Sequence, residues 1–128
     1  MMAKINILLV DDEAEYITTL VERLQLRNLH SQYALDGLQA LQMVAAFTPD
    51  VMVLDLKMPG IDGMEVLRRV KKEYPRVEVI ILTGHGAQKD EDEARRLGAF
   101  EYLKKPVDID ELTQHIQKAY QYKISMGY

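Results

Sequence analysis

Residues 51–63 read VMVLDLKMPGIDG, and they lead an uninterrupted apolar run directly into a single carboxylate. The four residues 51–54 are all apolar, as in a strand that is buried on both faces of a parallel sheet. Asp55 follows at once, and the turn-forming residues Pro59 and Gly60 come shortly after it. The segment therefore predicts a buried strand that ends on an acid and then turns, with glycines that admit positive φ at Gly60 and Gly63.

Four other short apolar runs lie elsewhere in the chain, at residues 5–10, 31–35, 77–82 and 99–103. The first and third are nearly continuous in Val, Ile and Leu, which indicates central strands. The runs at 31–35 and 99–103 are more mixed in composition, and this is typical of edge strands.

Stretches with helical periodicity separate these runs. Apolar residues recur at i, i+3 and i+4 spacing, which predicts one buried face on each helix. The predicted faces consist of Ala14, Ile17, Leu20, Val21 and Leu24; of Leu38, Leu41 and Ala45; of Met64, Leu67, Val70 and Tyr74; and of Ile109, Leu112, Ile116 and Tyr120. A further helix is predicted at residues 88–97, the fourth of five in chain order, and it has the weakest apolar face.

This alternation predicts an α/β fold of the flavodoxin-like kind. Five strands joined by five helices imply right-handed crossovers and a doubly wound parallel sheet with strand order 2-1-3-4-5. We expect residues 1–122 to form one domain and residues 123–128 to form a loose C-terminal tail.

Composition excludes several functional classes. The 128 residues carry a net charge of -4, whereas a nucleic-acid-binding surface is normally basic. No apolar run approaches the roughly 18 residues that a membrane span needs, and the first run is too short for a signal peptide. Cysteine is absent, and His30, His85 and His115 lack metal-ligand spacing, so we expect these histidines at the surface or in loops. These features favour a cytoplasmic protein without direct contact with nucleic acid or membrane.

Polar residues stand at the carboxyl ends of four predicted strands. Asp11 and Asp12 follow the first strand, Asp55 the third, Thr83 the fourth and Lys105 the fifth. In a doubly wound sheet, ligands bind beyond this edge, near the point where the strand order reverses. Each residue alone has a plainer explanation, as a helix-opening acid, a cap, a structural hydroxyl or a solvated charge. Their convergence on one edge is what favours a functional site.

The charges of this cluster indicate its chemistry. Three neighbouring carboxylates repel one another, so that either one takes up a proton or a cation neutralises them. Oxygen ligands without Cys or clustered His favour Mg²⁺. A carboxylate can also act as a nucleophile and form an aspartyl phosphate. A phosphoryl group on Asp55 together with Asp11 and Asp12 carries about -4, which Mg²⁺ and Lys105 nearly balance with about +3.

The sequence closely resembles the receiver domain of bacterial two-component response regulators. The resemblance extends from residue 5 to about residue 120 and rests on ILLVDDE at 7–13, VLDLKMPGIDG at 53–63, LTGHG at 82–86 and YLKKP at 102–106. Each motif is weak alone, but all four in this order and spacing are highly specific.

The resemblance implies a metal-assisted phosphoacceptor. Asp55 corresponds to the aspartate that takes a phosphoryl group from a phosphohistidine on a partner histidine kinase or phosphotransfer protein. Asp11 and Asp12 correspond to the pair that holds Mg²⁺ together with Asp55, and the backbone carbonyl of Lys57 is implied as a further ligand. On this basis we expect no enzymatic activity beyond the protein's own phosphorylation and dephosphorylation.

The resemblance also implies a conformational switch. Thr83 corresponds to the hydroxyl that follows a phosphoryl oxygen, Lys105 to the cation that pairs with it, and Tyr102 to an aromatic residue that moves inward. We expect phosphorylation to shift the population of a surface formed by the fourth helix, fifth strand and fifth helix. Pro106 is expected to follow a cis peptide bond, as in the family.

Two positions that vary in the family are expected to set the lifetime of the phosphate. Lys57 lies two residues after the acceptor, and His85 lies two residues after Thr83. The sign of their effect does not follow from the sequence. Met64 is expected to be a core residue with no chemical role, and Pro59 to be a turn residue.

Three other interpretations stay open at the level of sequence. A phosphatase of the haloacid dehalogenase type also uses an aspartate at a strand end, but it needs a second Asp where Lys57 stands. A flavodoxin-like nucleotide binder needs a Gly-rich loop after the first strand, and none follows it here. The stretches LTGHG and GAFEYLKKP resemble receivers that precede transcription-activating ATPase domains, so the chain is either a single-domain regulator or part of a longer one. The output, the cognate kinase and a phosphorylation-dependent homodimer are left open.

Overall fold

The computed structural model describes residues 4–127, which alternate five strands with five helices. The strands are β1 (Asn6–Val10), β2 (His30–Ala34), β3 (Val51–Leu54), β4 (Glu78–Thr83) and β5 (Glu101–Lys104). The helices are α1 (Ala14–Gln25), α2 (Gly37–Phe47), α3 (Gly63–Glu73), α4 (Gln88–Arg96) and α5 (Ile109–Ser125). Every predicted strand overlaps an observed one, with ends that differ by no more than two residues.

The strands form one parallel sheet in the order β2-β1-β3-β4-β5. This order confirms the predicted doubly wound fold, and it places β2 and β5 at the edges. The order reverses between β1 and β3, whose pairing brings Val10 opposite Leu54. The residues that follow these two strands are therefore neighbours at the carboxyl edge of the sheet.

Two apolar layers cover the sheet, one on each face. Alternate strand residues such as Leu8, Met52 and Ile81 pack with α2, α3 and Ala94 of α4. The intervening residues, such as Leu9 and Val53, pack with α1 and α5. Because both faces are covered, β3 and β4 are buried at every position, which explains their continuous apolar sequences.

The buried face of α2 differs from the prediction. Gly37, Ala40 and Val44 face the core, whereas Leu38 is 58% exposed and Ala45 is also exposed. Leu41, the third residue of the predicted stripe, is partly buried against the core. The small residue Gly37 allows this helix to approach Ile61 and the α3 residue Val66 closely, so the stripe of larger side chains matched only one edge of the buried face. The predicted face of α1 is confirmed at Ile17, Leu20 and Leu24, whereas Ala14 is exposed.

The two last helices differ in how firmly they are held. In α4 only Ala94 is buried, which agrees with its weak apolar face. By contrast, α5 continues to Ser125, so the prediction of a loose tail from residue 123 was wrong for its first three residues. Residue 128 of that predicted tail lies outside the described residues. Within residues 4–127, no helix combines the length and apolar character that a membrane span requires.

Candidate phosphoacceptor site

Three carboxylates converge at the carboxyl edge of the sheet, as the sequence predicts. Asp11 and Asp55 are only 3% and 4% exposed, while Asp12 is exposed. One oxygen from each of the three lies within 4.8 Å of the others. Backbone bonds fix the loops that carry them, since the Asp55 amide donates to the Val10 carbonyl at 2.9 Å. The position of Asp55 is therefore set by the sheet itself.

Lys105 supplies the cation of the cluster. Its Nζ lies 2.6 Å from Asp11 Oδ2, 3.0 Å from Glu13 Oε1 and 3.8 Å from Asp55 Oδ2. Its own amide donates to the Thr83 carbonyl at 2.9 Å, which continues the pairing of β4 and β5 beyond the strand end. The peptide bond to Pro106 is cis, as predicted.

Burial and ion pairing shift the pKa of two groups at this edge. Burial raises the pKa of the Asp11 carboxyl, and the bonds from Lys105 and the Glu13 amide only partly offset this. Burial by itself lowers the pKa of Lys105, but its bonds to Asp11 and Glu13 outweigh that effect and raise it. The ammonium is therefore firmly charged at neutral pH.

Thr83 ends β4 with its hydroxyl engaged in the following loop. The side chain is 1% exposed, and Oγ1 donates to the His85 carbonyl at 2.8 Å. The His85 amide in turn donates back to Thr83 Oγ1 at 3.2 Å. The hydroxyl would have to leave the His85 carbonyl before it could donate to another acceptor.

Tyr102 lies inside the protein, next to that loop. The residue is 7% exposed, and its Oη is the one buried side-chain polar atom in residues 4–127 that has no hydrogen-bond partner. Burial raises the pKa of this phenol, with the charges of Asp90 and Glu91 adding to the effect. An unpartnered buried hydroxyl is unfavourable, so the inward position of the ring is held by packing.

The remaining predicted residues lie around the cluster. Lys57 and His85 are both exposed, and the Lys57 amide lies 3.5 Å from Asp55 Oδ1. Whether they set a phosphate lifetime, and whether the Lys57 carbonyl ligates a metal, stay predictions. The exposed Pro59 and Gly60 form the predicted turn, in which Gly60 has φ +79°.

Gly63 corrects one part of the sequence interpretation. It is not among the glycines with positive φ. It opens α3, where an added Cβ would lie 2.1 Å from the Asp55 carbonyl oxygen and 2.6 Å from Leu56 Cα. Its requirement is a close approach to the backbone of Asp55 and Leu56, rather than an unusual backbone conformation.

Two residues of the site were missed in the sequence. The first is Glu13, whose side chain makes no capping bond to α1 and contacts Lys105. The ring of Tyr16 lies under the same ammonium, with Nζ 4.6 Å from the ring centroid. The spacing of Glu13 and Tyr16, three residues apart at the start of α1, is the available signal that both share one helix face.

This set of groups suits a hard cation and a nucleophile. Carboxylate oxygens are the preferred ligands of Mg²⁺, and here three of them are grouped with one ammonium among the described residues. The donor set fits the ion, since a single lysine leaves the local charge strongly negative. Of the two buried carboxylates, Asp11 has the Lys105 ammonium at 2.6 Å and Asp55 has it at 3.8 Å, so the oxygens of Asp55 are the less engaged.

Comparison with known proteins agrees with this geometry. The family described as the response regulator receiver domain matches residues 7–117. Sporulation initiation phosphotransferase F of Bacillus subtilis is 38% identical over 113 residues, which are 88% of this chain and 91% of that protein. Regulatory protein AtoC of Escherichia coli is 37% identical over 121 residues, which are 94% of this chain and 26% of that protein.

Solved structures extend the likeness to three dimensions. A receiver domain from Clostridium thermocellum is 35% identical with a TM-score of 0.89, and the match covers 98% of this chain and 99% of that one. The structure of NtrX from Brucella abortus in complex with ATP is 28% identical with a TM-score of 0.87, over 94% of this chain and 28% of that one. Family match, sequence identity and shared fold agree, and the chain belongs to the response regulator receiver domain family.

Proposed function

We propose that Asp55 accepts a phosphoryl group from a phosphohistidine on a partner histidine kinase or phosphotransfer protein. The observation that carries the proposal is the placement of a buried acceptor carboxylate beside Asp11, Asp12 and Lys105, with Lys105 Nζ 3.8 Å from Asp55 Oδ2. Membership of the receiver family supports the same role.

In the proposed reaction an Asp55 carboxylate oxygen attacks phosphorus, and the bond between phosphorus and the histidine nitrogen breaks. The electron pair of that bond stays on the imidazole, and the product is an acyl phosphate on Asp55. Lys105, whose Nζ lies 3.8 Å from Asp55 Oδ2, would pair with an oxygen of the phosphoryl group. Thr83 can donate to another such oxygen once its hydroxyl leaves the His85 carbonyl.

Asp11, Asp12 and Asp55 would hold Mg²⁺, with the Lys57 carbonyl as a further ligand. The ion, when bound, neutralises charge that develops on the transferred group. Lys105 contributes only one positive charge against these carboxylates and Glu13, so the protein's own residues leave the phosphorylated site strongly anionic.

The output of the proposed reaction is a change of surface. Loss of the bond between Thr83 and His85 would alter the loop that leads into α4, the helix with the smallest buried face. We propose that the surface of α4, β5 and α5 is what a downstream protein or a fused output domain recognises. Relatives of both kinds are similar to this chain, which covers 91% of the sporulation phosphotransferase and 26% of AtoC.

Replacement of Asp55 tests the proposal directly. Asp55→Asn keeps the size of the side chain but removes the nucleophilic charge, so we expect labelling by radioactive acetyl phosphate with Mg²⁺ to fall to background. Asp36→Asn is the matched control, because Asp36 caps α2 through its bond from Gln39 N and asparagine caps equally well. Asp36→Asn should be labelled like the wild type. Undiminished labelling of Asp55→Asn would contradict the proposal.

A further inference from the structure

The hydroxyl end of Tyr102 occupies the space that a side chain at Gly86 would take. Gly86 lies in the loop between β4 and α4, and Tyr102 lies in the adjacent strand β5, opposite Ile81. A Cβ built on Gly86 would lie only 2.1 Å from Tyr102 Oη, a distance that no real Cβ tolerates. The same atom would lie 3.4 Å from Tyr102 Cζ and 3.6 Å from the Thr83 methyl, which are ordinary or nearly ordinary contacts. The conflict is thus confined to one hydroxyl.

The ring, rather than the backbone, is the part that can yield. The hydroxyl is the far end of a side chain with two rotatable bonds, and it has no hydrogen bond to lose. Outward rotation would return it to water, where it regains hydrogen bonds. The cost of outward rotation is the apolar contact of the ring. Hydrogen bonding to water therefore favours the outward position, and apolar burial favours the inward one.

We propose that Gly86 is a positioning residue for Tyr102: the missing side chain at 86 permits the inward ring, and any side chain there drives the ring outward. The loop that carries Gly86 is held at its start by the two hydrogen bonds between Thr83 and His85. The proposed departure of the Thr83 hydroxyl toward a phosphoryl oxygen would release that loop and move Gly86 relative to the ring. Only this last step rests on the proposed function.

Gly84 provides a matched control in the same loop. Neither Gly84 nor Gly86 has positive φ, so alanine is compatible with the backbone at both positions. A Cβ on Gly84 would meet nothing closer than Lys105 Cδ at 3.8 Å. The two substitutions are chemically identical, and they differ in the contact with Tyr102.

Fluorine NMR of protein labelled with 3-fluorotyrosine tests the ring position without any phosphodonor. The Tyr102 resonance is identified by its loss in Tyr102→Phe, and Tyr33, which is 39% exposed, is an internal reference for an exposed ring. In Gly86→Ala the Tyr102 resonance should acquire a water-to-D₂O solvent shift like that of Tyr33. In Gly84→Ala it should keep the small shift of the wild type. No change in Gly86→Ala, or the same change in both variants, would overturn the proposal.

Unfolding equilibria provide a second test that does not depend on spectra. Tyr102→Phe removes the atom at 2.1 Å and leaves the 3.4 Å contact, so alanine at 86 should fit against a phenylalanine ring. Gly86→Ala should lower the folded-to-unfolded ratio at least about threefold more in the wild-type background than in the Tyr102→Phe background. Equal effects in both backgrounds would overturn the proposal. Failure of Asp55 labelling alone would reject the proposed function and leave the positioning of Tyr102 untouched.

Discussion

Two glycines in the segment after Asp55, one in the loop and one at the start of α3, are required for different physical reasons. Gly60 has φ +79° and open space around its Cα, so its requirement is conformational. Gly63 has ordinary φ, but a Cβ there would meet the backbone of Asp55 and Leu56. The Gly63 amide also donates to the Leu56 carbonyl at 3.0 Å, which holds the start of α3 against the end of β3. The sequence shows both as glycine and cannot separate the two causes.

Alanine should therefore affect the two positions unequally. Gly63→Ala should lower the free energy of unfolding by about 3 kcal/mol, at the upper end of overpacking costs, because backbone atoms cannot move aside as a side chain can. Without that conflict, replacing a helical glycine by alanine would stabilise the protein, because alanine has the higher helix propensity. Gly60→Ala should cost about 1–2 kcal/mol through backbone strain alone. Urea unfolding of both variants measures the difference.

Asparagine at the two positions separates the causes further. It tolerates positive φ, so Gly60→Asn should recover part of the stability that Gly60→Ala loses. Gly63→Asn should be no better than Gly63→Ala, since both carry a Cβ. Recovery at Gly63 would show that its requirement is conformational after all.

Among the secondary-structure elements, those buried on both sides were the most predictable. Continuous apolar runs gave β1, β3 and β4 nearly to the residue, because such runs fit few other structures. The face of α2 was not predictable in this way, since Gly37 and Ala40 pack through smallness rather than through apolar bulk. The end of α5 also escaped prediction, because a contact distant in sequence holds it. No local pattern shows that contact.

That contact joins Lys123 of α5 to Asp50, the residue before β3. Both side chains are only 16% exposed, and Asp50 also accepts a hydrogen bond from the Asn6 amide at 2.8 Å. The rings of Tyr122 and Phe100 lie 5.5 Å apart beside it. An ion pair and an aromatic contact thus secure the last turn of the helix against the amino edge of the sheet.

Loss of the ion pair should destabilise the end of α5. Lys123→Ala leaves the largely buried Asp50 without its cation, and we expect the free energy of unfolding to fall by about 1–2 kcal/mol, between values for exposed and buried pairs. Lys118→Ala is the matched control, since Lys118 is an exposed lysine on the same helix, and it should change stability by less than about 0.5 kcal/mol. Equal effects from the two changes, measured by urea unfolding, would mean that the pair does not hold the helix.

At the scale of the whole molecule, the strand order brings most residues of the site together, and the side-chain rotamers determine the remaining contacts. The strand order placed Asp11, Asp55 and Lys105 together, and this followed from the sequence because parallel strands end at one edge. The contacts of Glu13 and Tyr16 with Lys105 did not follow, because a strand-order argument places backbones and leaves rotamers undetermined. Those two residues add to the contacts that hold the ammonium beside Asp11 and Asp55.

The excess negative charge of this edge links metal binding to the stability of the whole fold. A cation that binds only the folded state raises the free energy of unfolding, by about 2.7 kcal/mol at a hundred times its Kd. We therefore expect added MgCl₂ to raise the urea midpoint of the wild type saturably, beyond the effect of NaCl at equal ionic strength. Asp12 is exposed, so Asp12→Asn should fold normally.

Asp12→Asn should have opposite effects with and without the ion. Without Mg²⁺ it removes one of three like charges within 4.8 Å of one another, so the variant should be more stable than the wild type. With Mg²⁺ it lacks a charged ligand, so the stabilisation by the ion should largely disappear, while Asp36→Asn should respond like the wild type. The order of stability of the wild type and Asp12→Asn should therefore reverse as Mg²⁺ is added. A Mg²⁺ response that Asp12→Asn leaves intact would place the ion elsewhere on the protein.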